Sequence, residues 1–159
     1  MFLSVKGATH GQINGESQDA KHKGEIEVLS WSWGMQGKPS LAGGGPSGKA
    51  TVRELRVVKR VDKASTALMS ALRTNEVIKE AVLTLRKTGK TPVEYLKVTI
   101  EQGRVLSLEI EAGDTSGSST LVERVSFSFN KIEVEYTPQG GDGQPQGGTM
   151  FQDEWGTTS

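Results

Sequence analysis

The sequence has no cysteine and only two histidines, His10 and His22. The absence of cysteine excludes disulfides, thiolate nucleophiles and cysteine-ligated metals. With two histidines, a serine–histidine–acid triad or a three-histidine metal site has almost no side chains to draw on. We therefore expect a protein without a catalytic centre, a metal or a cofactor.

Net charge and long apolar runs are also lacking. Lysine plus arginine number 19, as do aspartate plus glutamate, so no long-range field would attract nucleic acid or an anionic membrane. The N-terminus has neither the basic start nor the apolar block of a secretory leader, and no run approaches a membrane span. We expect a soluble protein made in the cytoplasm, without nucleic acid or membrane insertion, whose export does not use a cleavable leader.

Apolar and polar residues alternate with a period of two over most of the chain, which predicts a mainly β protein. At 159 residues the chain is long enough for one domain. Glycine-containing turns such as Gln102-Gly103 separate the alternating segments. The predicted short strands cover residues 52–61, 77–87, 93–101 and 104–111. A barrel or a two-sheet sandwich follows, because both limit exposed strand edges.

Two further segments change the phase of this alternation. In residues 25–33 the apolar face switches after Val28, and in residues 125–136 it switches at Asn130-Lys131. Such a switch is typical of a β-bulge, which bends a strand. We therefore predict two long, bent strands that curl around a core, with Trp31 and Trp33 as core anchors.

One helix interrupts the β pattern, from Asp62 to about Arg73. Asp62 can cap it, and an apolar stripe faces the sheet. The stripe consists of Ala64, Leu68, Ala71 and Leu72.

The last twenty-one residues differ in composition from the rest, being rich in glycine, glutamine and proline without periodicity. We predict a barrel domain over residues 1–138 and a flexible C-terminal tail over residues 139–159. Phe151 and Trp155 are its possible anchors.

The segment GGGPSGKA, Gly43 to Ala50, is one residue away from a phosphate-binding loop. That motif needs serine or threonine after the lysine, since the hydroxyl ligates magnesium, and a helix must follow to hold the phosphates. Here Ala50 takes the hydroxyl position and the sequence after it alternates as a strand. A loop projecting from a sheet is the better interpretation.

Three other polar groupings could carry chemistry. Asp19, His22 and Glu25 are spaced by three residues, but Gly24 argues against a helix, and we interpret them as surface polarity. Arginine and lysine in RELRVVKR, residues 53–60, fall on both sides of a strand and make no phosphate-tracking stripe. Paired carboxylates could supply an acid and a base, although solvated strand faces explain them more simply. The pairs are Glu25 with Glu27, Glu109 with Glu111, and Glu133 with Glu135.

Four blocks of the sequence resemble the haemolysin-coregulated protein (Hcp) family, the tube protein of bacterial type VI secretion systems. They read ESQDAKHKGEIEVLSWSWGM, VVKRVDKAST, KEAVLTLRKTGKTPVEYLKVTIE and VSFSFNKIEVEYTPQ, and the resemblance spans about residues 2–139. It implies a curled antiparallel β-barrel of two packed sheets with one short α-helix on its side. It also implies homohexameric rings that stack into a hollow tube, which a contracting sheath expels together with a spike.

The resemblance also assigns parts of the chain to a lumen and to assembly. Ser30 and Ser32 would face the lumen, where family members bind small effector proteins. The segment between the second and third strands would be an assembly loop reaching a neighbouring subunit or ring, with Leu41 as its apolar anchor. This loop comprises Gly37, Lys38, Pro39, Ser40, Leu41, Ala42, Gly43, Gly44, Gly45, Pro46, Ser47, Gly48 and Lys49.

The function that the resemblance implies is non-enzymatic. The protein would reside in the bacterial cytoplasm before firing and afterwards outside the cell or in a target cell. One alternative is a tail-tube protein of a phage or another contractile injection particle. Another is a nucleotide-binding protein that uses residues 43–49.

Overall fold

The computed structural model describes residues 1–37, 50–88, 93–115, 118–141 and 147–155. These residues form eleven β-strands and one α-helix. The strands are β1 (Phe2–Gly7), β2 (Gly11–Ile13), β3 (Ile26–Ser32), β4 (Met35–Gln36), β5 (Thr51–Val52), β6 (Leu55–Arg60), β7 (Ile78–Lys87), β8 (Val93–Thr115), β9 (Ser118–Ser128), β10 (Lys131–Tyr136) and β11 (Thr149–Glu154). The helix is α1 (Ala64–Arg73). No helix in the described part of the chain is long and apolar enough to span a membrane.

Six of the strands close into an antiparallel barrel in the order β8-β7-β1-β3-β6-β9, with β9 returning to β8. β2 pairs with β1, whereas β10 and β11 continue the sheet outward from β8. β4 and β5 form a separate two-stranded ladder. This architecture confirms the predicted mainly β, curled antiparallel barrel with one short helix.

The core lies inside the barrel, where alternate residues of each strand point. Leu3 and Val5 of β1, Leu55 and Val57 of β6, and Phe127 of β9 are all at most 1% exposed. Burying each such side chain contributes roughly 1.5–3 kcal/mol. The period-two pattern of the sequence therefore produces the apolar core of the barrel.

The helix α1 closes over this core by packing against β8. The predicted stripe is confirmed at Ala64, Leu68 and Ala71, which are fully buried. Lys63 occupies the capping position without a capping bond of its side chain, and Asp62 Oδ1 accepts from the Ala64 N–H at 3.0 Å instead.

The first predicted bend is confirmed, because the pairing of β3 with β6 shifts register between Val28 and Ser30. The second is wrong as a single bent strand. β9 ends at Ser128 and pairs with β6 and the second half of β8, whereas β10 begins at Lys131 and pairs with the first half of β8. The chain therefore breaks here and changes neighbours.

The predicted turn at Gln102-Gly103 is also wrong, since β8 runs through it without interruption. Gln102 has a φ of 53° and Gly103 leaves no room for a side chain, because a Cβ there would lie 1.9 Å from the Ser128 carbonyl oxygen. The turn-like residues bend a continuous strand between its two sets of neighbours.

The C-terminal segment contains a strand where the sequence predicts a flexible tail. β11 pairs with β10 along its whole length. The Trp155 N–H donates to the Asn130 carbonyl at 2.7 Å, and its ring lies 5.8 Å from that of Phe129. The expectation of flexibility is therefore wrong for β11, because β10 offers it an open edge, and Trp155 is the anchor. The division of the chain after residue 138 stays a prediction.

Candidate functional site

The outward face of β3, β6, β9 and the second half of β8 forms an open groove of about 680 Å³. The alternation that buries Leu55 and Val57 turns Arg56 and Val58 outward. The groove combines hydroxyls, charges and a few aliphatic side chains. We call this surface the outer groove; its central residues are Ser30, Ser32, Arg56, Val58, Ser107, Glu109, Arg124 and Ser126.

Two rows of side chains cross the outer groove perpendicular to the strands. In the first, Ser32 lies opposite Arg56, Arg56 opposite Ser126, and Ser126 opposite Ser107. In the second, the pairing runs from Ser30 through Val58 and Arg124 to Glu109. Three of the four residues in the first row are serines, of which Ser32 and Ser107 are exposed and Ser126 is buried.

The arginines of the outer groove are paired with neighbouring carboxylates. Arg56 Nη2 lies 2.7 Å from Glu54 Oε1, and Arg124 contacts Glu111. The hydroxyls of Ser107 and Ser126 lie 2.5 Å apart. The groove therefore offers many hydrogen-bonding groups, and its paired charges produce little net electrostatic potential. Such a surface suits a polar ligand better than a highly charged one.

The structure places the predicted site residues as follows. Ser30 and Ser32 are exposed at one side of the outer groove. Of the predicted assembly loop only Gly37 is described, and residues 38–49 lie outside the described residues. The two ends of that loop are joined by the β4–β5 ladder, in which Met35 pairs with Val52. Strands rather than a helix follow residue 50, so the nucleotide-binding interpretation gains no support.

Comparison with known proteins adds to this geometry. The family model described as "Type VI secretion system effector, Hcp" matches residues 2–136. The chain belongs to the Hcp family. It is 40% identical over 153 residues to protein hcp1 of Pseudomonas aeruginosa, covering 94% of this chain and 90% of that one.

Solved structures of Hcp proteins have the same fold as this chain. Hcp1 from Salmonella typhimurium superposes with a TM-score of 0.75 at 29% identity, covering 97% of this chain and 94% of that one. A type six secretion system protein gives a TM-score of 0.80 at 28% identity, covering 93% and 91%. The chain is thus a type VI secretion protein from a family of secreted structural tube proteins, as the sequence predicted.

Behind the outer groove, this Hcp chain buries a charge cluster that the sequence reading missed. Lys59 is fully buried and donates to Asp62 Oδ1 at 2.9 Å, Ser65 Oγ at 3.1 Å and Glu123 Oε2 at 3.2 Å. Ser65 Oγ donates to Glu123 Oε2 at 2.5 Å. We call these four residues the buried cluster. The signal was present, since Lys59 shares its strand face with Leu55 and Val57.

The interpretation of Asp19, His22 and Glu25 as surface polarity is wrong. His22 is buried, its ring stacks on Phe2 at 4.5 Å, and its nitrogens lie 2.8 Å from Glu25 Oε2 and 2.6 Å from Glu94 Oε1. These contacts fasten the segment between β2 and β3 to the first residues of β8.

Asp19 fastens the same segment to β7. Its two oxygens accept from the Arg86 guanidinium at 3.0 and 2.5 Å. The hydrogen bond from Arg86 lowers the pKa of Asp19 from 3.8 to about 2. The spacing in the sequence could not reveal this network, because its partners are about seventy residues away.

A second buried carboxylate, Glu76, fixes the turn between β1 and β2. Its Oε2 accepts from the Thr9 and His10 N–H groups at 3.0 Å, and its Oε1 lies 2.6 Å from His10 Nδ1. Burial alone would raise the pKa of Glu76, but the hydrogen bonds from His10 and Thr9 outweigh it and lower that pKa. Both histidines of the chain therefore lie in structural contacts.

Two of the paired carboxylates contact other side chains. Glu25 contacts His22, and Glu111 contacts Arg124. Within the described residues, no three histidine, aspartate or glutamate side chains come together in a way that could hold a metal ion.

Proposed function

We propose that this chain is the subunit of the inner tube of a type VI secretion system. Six copies close into a ring, rings stack into a hollow tube, and sheath contraction expels the tube with its spike. Effector proteins are carried in the lumen. The observation that carries the proposal is the four-stranded sheet behind the outer groove, which has an open edge on each side.

The two open edges belong to different strands. Among the described residues, Ser30–Ser32 of β3 pair only with β6, and residues 107–112 of β8 pair only with β9. Each edge therefore presents unpaired backbone groups that can add another strand. If the β3 edge of one copy meets the β8 edge of the next, the contact is head-to-tail, and repeating it closes a ring. The number six is what membership of the family implies.

In this ring the outer grooves of the six copies line the central channel. The exposed serines Ser32 and Ser107 would then contact cargo, and their small side chains would leave the channel open. Since the arginines of the groove are already paired with glutamates, cargo would be held mainly by hydrogen bonds and shape.

The substitution Ser32→Gln tests this assignment. The longer side chain narrows the channel. Ser32 lies on the β3 edge, but that edge would pair through backbone groups while the side chain projects from the face of the sheet, so we expect an intact ring that retains less effector during co-purification. Ser70→Gln is the matched control, because Ser70 is exposed on α1 and distant from the outer groove. Equal effector retention by the two variants would contradict a cargo role for Ser32.

The mass of the protein in solution tests the ring itself. Light scattering and negative-stain microscopy should show a particle of six subunits with an open centre. A monomer at all protein concentrations would refute the proposal.

We also propose that residues 37–49 form an assembly arm. The β4–β5 ladder pairs the residues that flank this segment, Met35 with Val52 and Gln36 with Thr51. Deleting residues 41–45, which removes Leu41, should weaken ring closure or stacking in analytical ultracentrifugation. Unchanged assembly would show that the segment is dispensable.

A further inference from the structure

The sheet behind the outer groove has two ends in addition to its two edges. At one end lie the β4–β5 ladder and the start of β6, where Leu55 pairs with Phe127. At the other end the β8–β9 hairpin continues past the last pair with β6, Arg60 with Val122. The ring proposed above uses the edges, so both ends stay free to contact a neighbouring ring.

The first end carries a groove of about 450 Å³ between β5, Leu106 of β8 and Trp155, and its lining is partly apolar and partly polar. Its apolar lining is Val52, Leu106, Phe129 and Trp155, and Leu106 is 48% exposed. Trp155 is held in place by its hydrogen bond to Asn130 and its contact with Phe129. We call this surface the end groove.

The second end carries exposed apolar side chains on the β8–β9 hairpin. Leu121 is 51% exposed and Ile110 is 39% exposed. They lie on the same face of the hairpin, because Leu121 pairs with Ala112 and Ile110 pairs with Glu123. Covering exposed aliphatic side chains that share one face with another surface is favourable, because apolar area is removed from water.

A copy of the chain cannot fill its own end groove with its own hairpin. Leu106 and Ala112 are six residues apart on one strand, which is about 20 Å at the rise of a β-strand. The two surfaces also differ from each other, so contact between copies is head-to-tail. Along the axis of a ring, such a contact repeats without closing and builds a stack.

We propose that Leu121 and Ile110 of one copy dock into the end groove of a copy in the next ring. The partner is thus a second copy of this chain, and the contact fixes the polarity of the tube. This inference rests on the proposed tube function and adds to it the two surfaces that join successive rings.

Cross-linking tests the contact directly, because the chain has no cysteine of its own. The full-length variant Leu106→Cys/Leu121→Cys is concentrated and treated with a short bifunctional thiol reagent. We expect a ladder of linked chains on a denaturing gel. Each single-cysteine variant should stay at the monomer position, since its cysteines lie on like ends that do not meet.

The outcomes separate the inference from the tube function. Intact rings with no ladder would overturn the inference alone, and so would dimers from either single variant as abundant as those from the double variant. A protein that forms no rings by light scattering would overturn the tube function as well.

Leu121→Glu gives a second readout that needs no cross-link. A carboxylate in an apolar contact is strongly disfavoured, so we expect roughly a tenfold or greater loss of stacked rings with the ring itself unchanged. The matched control is Met69→Glu on α1, at a similarly exposed residue away from both ends. Equal stacking by the two variants would overturn the proposal.

Discussion

The two faces of one sheet use charge in opposite ways. On the outward face, Arg56 and Arg124 pair with glutamates while remaining 68% and 50% exposed. On the inward face of the same strands, Lys59 and Glu123 meet with both side chains fully buried. We therefore expect the barrel to tolerate replacement of the outward charges, whereas the inward charges join β6, β9 and α1.

The physical reason is desolvation. An exposed ion pair contributes about 0–1 kcal/mol because water already solvates both ions. In a buried pair the desolvation cost offsets the attraction, but removing one partner leaves a charge without compensation. Glu123 Oε1 has no hydrogen-bond partner among the described residues, so compensation of the Glu123 charge depends on the contacts of Oε2 with Lys59 and Ser65.

The largest expected effect comes from breaking the buried cluster. Lys59→Ala should lower the free energy of unfolding by about 3–5 kcal/mol, because Glu123 loses its counter-ion inside the barrel. Urea denaturation measures this loss.

The matched control is Arg56→Ala on the opposite face of the same strand. Its effect should stay within about 0.5 kcal/mol, as is usual for exposed side chains. The double variant Lys59→Met/Glu123→Leu should recover much of the stability. Equal losses for Lys59→Ala and Arg56→Ala would erase the contrast between the two faces.

Glu76→Gln extends the comparison to a second buried charge. It should lower the free energy of unfolding by about 1–3 kcal/mol, because an amide cannot accept all the bonds that Thr9 and His10 donate. Glu80→Gln, at an exposed residue of β7, should leave stability unchanged.

The pH dependence of Glu76 follows from its lowered pKa. A lowered pKa means that the carboxylate stabilises the fold above its ordinary value of 4.5, and that this contribution is lost as the pH falls further. Thermal melts between pH 6 and strongly acidic solution should therefore show a smaller fall of the melting temperature with pH for Glu76→Gln than for the unsubstituted protein. The difference should be roughly proportional to the stability that Glu76→Gln loses at pH 6. Parallel declines for the two proteins would show that Glu76 is not among the groups responsible.

Ser107→Ala should have the smallest effect. Its hydroxyl bonds to Ser126 in the outer groove, where water can replace it, so we expect a change within about 0.5 kcal/mol. Chemical denaturation measures this change. A loss as large as that of Glu76→Gln would mean that the groove floor is structural.

The sequence predicts the barrel because burial on alternate strand residues is a local pattern. It predicts the bulge after Val28 and the buried stripe of α1 for the same reason. It fails at Gln102-Gly103, where turn-like residues bend β8 but the strand stays paired before and after the bend. It also fails at β11, because that strand depends on an edge of β10 that composition does not reveal.

The site is less predictable than the fold. Ser30 and Ser32 come from the family resemblance alone. Ser107 and Ser126 complete the first row of the outer groove only because the pairing of β8 with β9 shifts between Val105 and Ser107, a register that no spacing rule supplies. Likewise, His22 reaches Glu94 across 72 residues of chain.

The continuity of β8 has a mechanical consequence. This one strand of 23 residues bonds to both β7 and β10 along its first half and to β9 along its second half. A force pulling along it would load many hydrogen bonds in shear at once rather than peel them apart singly. Because β8 is covalently continuous through its bend, a load applied to the sheet around its first half passes directly to the sheet around its second half.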